Sequence, residues 1–115
     1  MLKERKRMTT RWLVRIALFS LVLALALPPL AAAQAGADTY KAKCQMCHGP
    51  GGVPSAGMAK SMGLTPLGSA TVQGMSDADL TAAINNGKGK MTGFKGKLTD
   101  AQIKDLVGYI RTLKQ

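Results

Sequence analysis

The segment Lys43–Gly52, KCQMCHGPGG, holds both cysteines and the single histidine of the chain, confined to Cys44–His48. Four chemistries use such a cluster: a structural disulfide, a dithiol redox centre, part of a metal clip, or a haem attachment site. Each makes a different demand on the residues around it.

A disulfide between residues three apart closes a loop too small to restrain much of the unfolded chain. A thioredoxin-like centre asks for C-x-x-C beside a βαβ pattern, and the sequence shows no strand pattern. A closed zinc site asks for four ligands, usually Cys or His; two cysteines and one histidine in a single turn fall short. Covalent haem asks for what is there: two thiols at i and i+3 on one helical face for thioether bonds, and a histidine beside the second to reach the iron. Cys44 and Cys47 are the expected thioether residues and His48 the expected axial ligand. Its other ring nitrogen should be held by a backbone acceptor such as the Pro50 carbonyl.

Upstream, the charge is unevenly placed. The 115-residue chain has sixteen Lys+Arg against six Asp+Glu, a formal net charge of +10, which taken whole suggests an anionic partner. Lys3, Arg5, Lys6, Arg7, Arg11 and Arg15, however, precede an uncharged apolar run, Ile16–Leu27, and then Pro28-Pro29 and the small-residue stretch Leu30–Ala35. A basic segment, an apolar core and an A-x-A site make a secretory signal peptide, so residues 1–35 read as a leader cut after Ala33 or after Ala35. The competing reading is an uncleaved anchor, because Trp12–Leu27 approaches the ~17 residues that a spanning helix needs. The leader holds six of the basic residues and one of the acidic, leaving +5 on residues 36–115. Export places the cluster in the periplasm, an oxidising compartment. The one tryptophan lies in the leader and aromatics are few, so no nucleic-acid partner is expected; a membrane is a partner only if the leader stays.

Residues 36–115 read as one domain with helices over Asp38–Cys47, Asp77–Asn86 and Thr99–Lys114. Ser76 caps the second, and Thr99-x-x-Gln102 forms a capping box for the third, where Ile103, Leu106, Val107, Ile110 and Leu113 recur at the helical period. A domain of about 80 residues often needs a staple such as a disulfide, metal or cofactor. The loop Gly49–Met75, uncharged except for Lys60, is long enough to wrap a flat apolar ring. Leu64, Leu67, Val72, Ile84, Phe94 and Leu98 are candidates for its wall, and ordinary core packing explains each equally well.

A second axial ligand is expected from methionine. Met46 sits inside the attachment turn and cannot reach the opposite haem face. Met91 lies in the flexible Gly/Lys segment Gly87–Lys97 between two well-capped helices and is the expected ligand, with Met58 and Met62 next. A His/Met pair fills both axial positions, which suits one-electron shuttling and leaves no site for a substrate, so no enzymatic turnover is expected. Lys88, Lys90, Lys95 and Lys97 flank Met91 and Phe94, a positive rim that would steer an acidic partner.

Taken together, Cys44-x-x-Cys47-His48-Gly49, Ile84-x-x-Gly87-Lys-Gly-Lys-Met91-x-x-Phe94 and Leu98-Thr99-x-x-Gln102-Ile103-x-x-Leu106-x-x-Tyr109-Ile110 resemble the small class I monohaem cytochromes c of bacteria. The resemblance implies an all-α cytochrome c-like fold, three to four helices around one covalent haem c, His48/Met91 ligation and electron transfer. Its partners would be a dehydrogenase, a quinol-oxidising complex or a terminal oxidase or reductase with an acidic docking surface. It also implies that Gly36 and Tyr40 of the first helix meet Leu106 and Tyr109 of the last, which requires Gly36 to be retained. The family usually has proline after the ligand methionine; Thr92 stands there, which implies a less rigid loop. Two other functions fit the same residues: a haem-based binder of small ligands with a labile Met91, and an electron-entry subunit of a larger oxidoreductase.

Overall fold

Where two helices cross closely, one must give up its side chain, and here Gly36 does so. A Cβ on Gly36 would run into the carbonyl oxygen of Asp105 and lie 3.1 Å from the Cβ of Tyr109, so α2 (Pro28–Lys43) and α7 (Asp100–Thr112) meet backbone to backbone at this point. One turn further on, the rings of Tyr40 and Tyr109 stand 5.0 Å apart, tilted by 44°. Tyr40 and Leu106 are each 1 % exposed. The first and last helices of the domain therefore cross through the four residues that the resemblance named.

The computed structural model describes residues 1–24 and 28–115. Two units are distinct, residues 1–31 and residues 32–115. The first contains α1 (Leu2–Ala24), a helix with exposed Trp12, Leu18 and Phe19; the end of the expected apolar run, at 25–27, lies outside the described residues. Among the described residues no helix is long and apolar enough to cross a membrane.

In the second unit α2 is followed by α3 (Gln45–His48), a 3-10 turn at Pro50–Gly52, α4 (Ala56–Met62), α5 (Ala70–Gln73), α6 (Asp77–Asn86), the strands β1 (Gly87–Lys88) and β2 (Met91–Thr92), and α7. The all-α expectation holds, with one two-residue antiparallel ladder added, Gly87 opposite Thr92 and Lys88 opposite Met91. The core is Tyr40, Leu80, Ile84, Leu98, Ile103, Leu106, Val107 and Ile110. Four of these lie on α7 at the expected period, and α6 contributes Leu80 and Ile84.

The caps follow the sequence. Ser76 accepts from the Asp79 N–H at 3.0 Å, and the Thr99–Gln102 box is complete, with bonds of 2.9 and 3.2 Å. The third helix ends at Thr112 rather than Lys114, and the first differs at both ends. The first helix begins before Asp38, because alanine-rich residues 31–37 favour helix; Asp38 sits inside it and accepts from Gln34 at 3.0 Å. It also breaks at Cys44, whose φ of −116° starts a new short turn, so the expected single helix to Cys47 is two. The long loop is not irregular throughout: Ser55 and Ser69 cap α4 and α5 through the N–H groups of Met58 and Val72.

That loop is tied to α7 by side chains. Arg111 donates to the carbonyls of Gln73, at 2.9 Å, and Met75, and to the Asp77 carboxylate at 2.7 Å. Gln73 bridges in the other direction, donating to the carbonyls of Leu67 at 2.8 Å and Ile110 at 2.9 Å.

Candidate cofactor site

The turn Cys44–His48 is closed by backbone bonds. The Cys47 and His48 N–H groups both donate to the Cys44 carbonyl, at 3.2 and 3.0 Å, and the Gly49 N–H donates to Gln45 at 2.9 Å. Gly49 then turns the chain with φ of +76°, where a side chain would meet the Val53 carbonyl. The buried Tyr40 hydroxyl fixes this point by donating to the Gly49 carbonyl at 2.7 Å. Tyr40 thus joins the helix crossing to the end of the Cys44–His48 turn.

Within the turn Cys44 and Cys47 are half-buried and not bridged to each other. Burial, and then the neighbouring Cys47, push the Cys44 thiol up to about 11. A dithiol redox centre needs a thiolate of lowered pKa, so that reading loses ground. Burial also lowers the pKa of His48, which favours the neutral imidazole, the form that ligates metals. Its Nδ1 is buried and finds no hydrogen-bond partner among the described residues. The expected bond to the Pro50 carbonyl is therefore not made; that carbonyl takes the Val53 N–H at 3.4 Å instead, because Pro50–Gly52 curls into a 3-10 turn.

Two unbridged thiols three residues apart, and an imidazole with an unsatisfied buried nitrogen, fit a covalently held haem. Among the described residues no group of three or more His, Cys, Asp and Glu is placed to hold a metal ion.

Met91 lies on β2, in an ordered ladder where the sequence suggested a flexible Gly/Lys segment. It pairs with Lys88 across the ladder, and the chain after it is laid against the end of α6. The Phe94 N–H donates to Ile84 at 2.9 Å and the Lys95 N–H to Asn85 at 3.1 Å. Gly93 permits this approach, since a Cβ there would meet the Asn85 carbonyl. No proline is needed to define the backbone beside Thr92, because the bonds on either side do so. Cys44, Met91 and Phe94 all pack against the same core cluster, so the two parts of the expected site converge on one core.

Of the other candidates, Met46 is 89 % exposed, and Met58 and Met62 are partly buried on α4. Ile84 and Leu98 belong to the core, with Leu67, Val72 and Phe94 packed on it, and Leu64 is partly buried outside that cluster. Lys88, Lys90, Lys95 and Lys97 are exposed. Sequence reading missed Tyr40 as a partner of Gly49, Gly93 as a contact point and Arg111 as the tie for the loop. Only the spacing of Tyr40, one helical turn before Cys44, pointed to its place.

The family model described as cytochrome C oxidase, cbb3-type, subunit III, matches residues 31–110. Cytochrome c6 of Leptolyngbya boryana is 38% identical over 80 residues, covering 68% of this chain and 88% of that protein. Cytochrome c6 of Nostoc sp. is 35% identical over 107 residues, covering 91% of each. The cbb3-type cytochrome c oxidase subunit CcoP of Azospirillum brasilense is 34% identical over 85 residues, 72% of this chain and 29% of that protein. Among solved structures, the KustC0563 c-type cytochrome matches with a TM-score of 0.64 and 33% identity, over 70% of this chain and 98% of that one. The chain belongs to the cytochrome c family as a small monohaem class I member, carrying covalently bound haem c for haem-based electron transfer.

Proposed function

We propose that residues 36–115 are a periplasmic single-electron shuttle in which Cys44 and Cys47 bind haem c as thioethers and His48 and Met91 are its axial ligands. Haem c, when bound, supplies a one-electron couple whose potential a His/Met pair raises. The chain's own residues do the rest. Cys44 and Cys47 fix position and orientation, burial keeps the His48 imidazole neutral, and the Gly87–Lys95 segment holds the Met91 thioether against the core. Ile84, Phe94 and Leu98 exclude water from the apolar side of the site. Held by both His48 and Met91, the iron would offer no site for a substrate.

The observation that carries this reading is the His48 turn itself, with two unbridged half-buried thiols beside an imidazole whose buried Nδ1 is unsatisfied. Residues 1–35 are proposed as the leader, cut after Ala33 or Ala35. The 107-residue match to the Nostoc relative is longer than residues 36–115 and so reaches into this leader. Exposed Lys88, Lys95 and Lys97 would steer an acidic redox partner, with association falling as salt rises.

An intact mass of the exported protein tests both covalent haem and the cut. The expected mass is that of the chain from Gln34 or Gly36 plus one haem; a bare polypeptide would overturn the reading. In the holoprotein, Met91→Ala should abolish the low-spin Met-ligated spectrum and admit carbon monoxide to the reduced haem. An unchanged spectrum would remove Met91 from the site.

The match to CcoP favours one second reading, an electron-entry subunit of a larger oxidoreductase. Co-purification of the chain with such a complex from native membranes would select it over a free shuttle.

A further inference from the structure

The Met91 strand is paired with β1 and the segment after it is bound to α6, and a single long side chain reaches from its turn to a different helix. Gly89 and Lys90 form the turn between β1 and β2, with Gly89 at φ of +58°. From this turn the Lys90 ammonium donates to the Ser61 carbonyl at 2.7 Å, joining positions 29 residues apart. Ser61 lies in the last turn of α4, which ends at Gly63 in the left-handed conformation. The last four carbonyls of a helix lack intrahelical partners, and a cation there also meets the negative end of the helix dipole. Lys90 therefore satisfies a carbonyl that α4 cannot, and does so from the residue adjacent to Met91.

We infer that Lys90 is a positioning residue for Met91, a strap from the turn to α4 that limits how readily Met91 leaves its place; this rests on Met91 as the proposed axial ligand. The strap adds a side-chain restraint to the backbone bonds on either side of Thr92. Opening the ladder requires the Lys90–Ser61 bond to break, so any exogenous ligand that competes with Met91 does so against it. Engagement with Ser61 also sets Lys90 apart from Lys88, Lys95 and Lys97 in the same segment, leaving those three for charge-steered docking.

The test uses the ferric holoprotein and imidazole as the competing ligand. Lys90→Met removes the donor and keeps an apolar stem, Lys90→Arg keeps a donor of similar reach, and Lys60→Met removes a neighbouring positive charge of α4 that makes no such bond. Imidazole should bind the Lys90→Met protein roughly threefold to fivefold more tightly, the scale of one exposed charge-assisted bond. Lys90→Arg should restore the wild-type value, and Lys60→Met should leave it unchanged. Equal affinity in Lys90→Met and wild type, or an equal rise in Lys60→Met, overturns the strap. Met91→Ala run alongside separates the two claims: an unchanged spectrum and unchanged imidazole affinity there overturn Met91 as ligand, and the strap with it.

Discussion

The Tyr40 hydroxyl donates to the carbonyl of Gly49, the residue after His48, across 2.7 Å of buried space. One bond thus connects the packing of the first and last helices to the position of the histidine turn. Tyr40→Phe keeps the ring against Tyr109 and removes the hydroxyl with its bonds to the Gly49 and Gly52 backbone, which should cost about 1–2 kcal/mol at neutral pH. Denaturant unfolding of the holoprotein measures it.

The same pair makes stability depend on alkaline pH. Burial, and then the Cys44 thiol while it is free, push the Tyr40 phenol up to about 12, above the ~10 of an unfolded tyrosine; with Cys44 a thioether, burial remains the main raising cause. The neutral phenol therefore stabilises the fold in full below about pH 10, and this contribution is lost as pH rises through about 12. Unfolding curves across that window should show the wild type losing stability faster than Tyr40→Phe. Parallel slopes would mean that another group carries the alkaline transition.

Gly36 at the crossing and Gly108 on the open side of α7 should respond in opposite ways. Gly36→Ala drives a Cβ into the Asp105 carbonyl and should destabilise by about 1–3 kcal/mol, the usual cost of overpacking. Gly108→Ala, on α7 with open space around it, should stabilise by up to about 1 kcal/mol through helix propensity. For a domain of this size each kcal/mol moves the thermal midpoint by about 4–8 °C, so thermal melts separate the two.

Arg111 makes its contacts as a fork, to two carbonyls and the Asp77 carboxylate. Lys carries the charge without the fork, and Arg111→Lys should lose about 1–2 kcal/mol by leaving a carbonyl unpaired. Asp77 is largely exposed, with 75% of its side chain accessible, and Asp77→Asn should cost no more than about 1 kcal/mol. Comparing denaturant midpoints of the two variants distinguishes the carbonyl bonds from the ion pair.

Gly93→Ala should push the segment after Met91 off the Asn85 carbonyl. In the holoprotein the expected result is a weakened Met-ligated spectrum and faster binding of outside ligands, with little change in the helix signal by circular dichroism. Retention of the full spectrum would show that the ladder and the Lys90–Ser61 bond suffice to hold Met91.

What could be read from the sequence was what depends on local pattern. The apolar period of α7 and the caps at Ser76 and Thr99 are set by residues within a turn or two of one another, and both appear as expected; the spacing of Cys44, Cys47 and His48 is legible at the same short range. What escaped depends on contacts between distant segments. The firmness of the Met91 segment comes from Ile84, Asn85 and Ser61, and nothing near Thr92 announces it. The Pro50 carbonyl was misassigned because the 3-10 turn that claims it needs positive φ at Gly51 and Gly52, a choice that glycine permits without requiring. Short α4 and α5 were missed because four to seven residues carry no measurable period, although Ser55 and Ser69 were there to cap them.

The crossing of α2 with α7 also orders events in time. Chains emerge from the ribosome amino end first, so Gly36 and Tyr40 are made well before Asp105, Leu106 and Tyr109, and the contact that closes the domain is the one with the longest wait and the costliest loop closure. During that interval the Cys44–His48 turn has no finished fold around it. Until the final helix arrives, the core cluster against which Cys44 packs is incomplete.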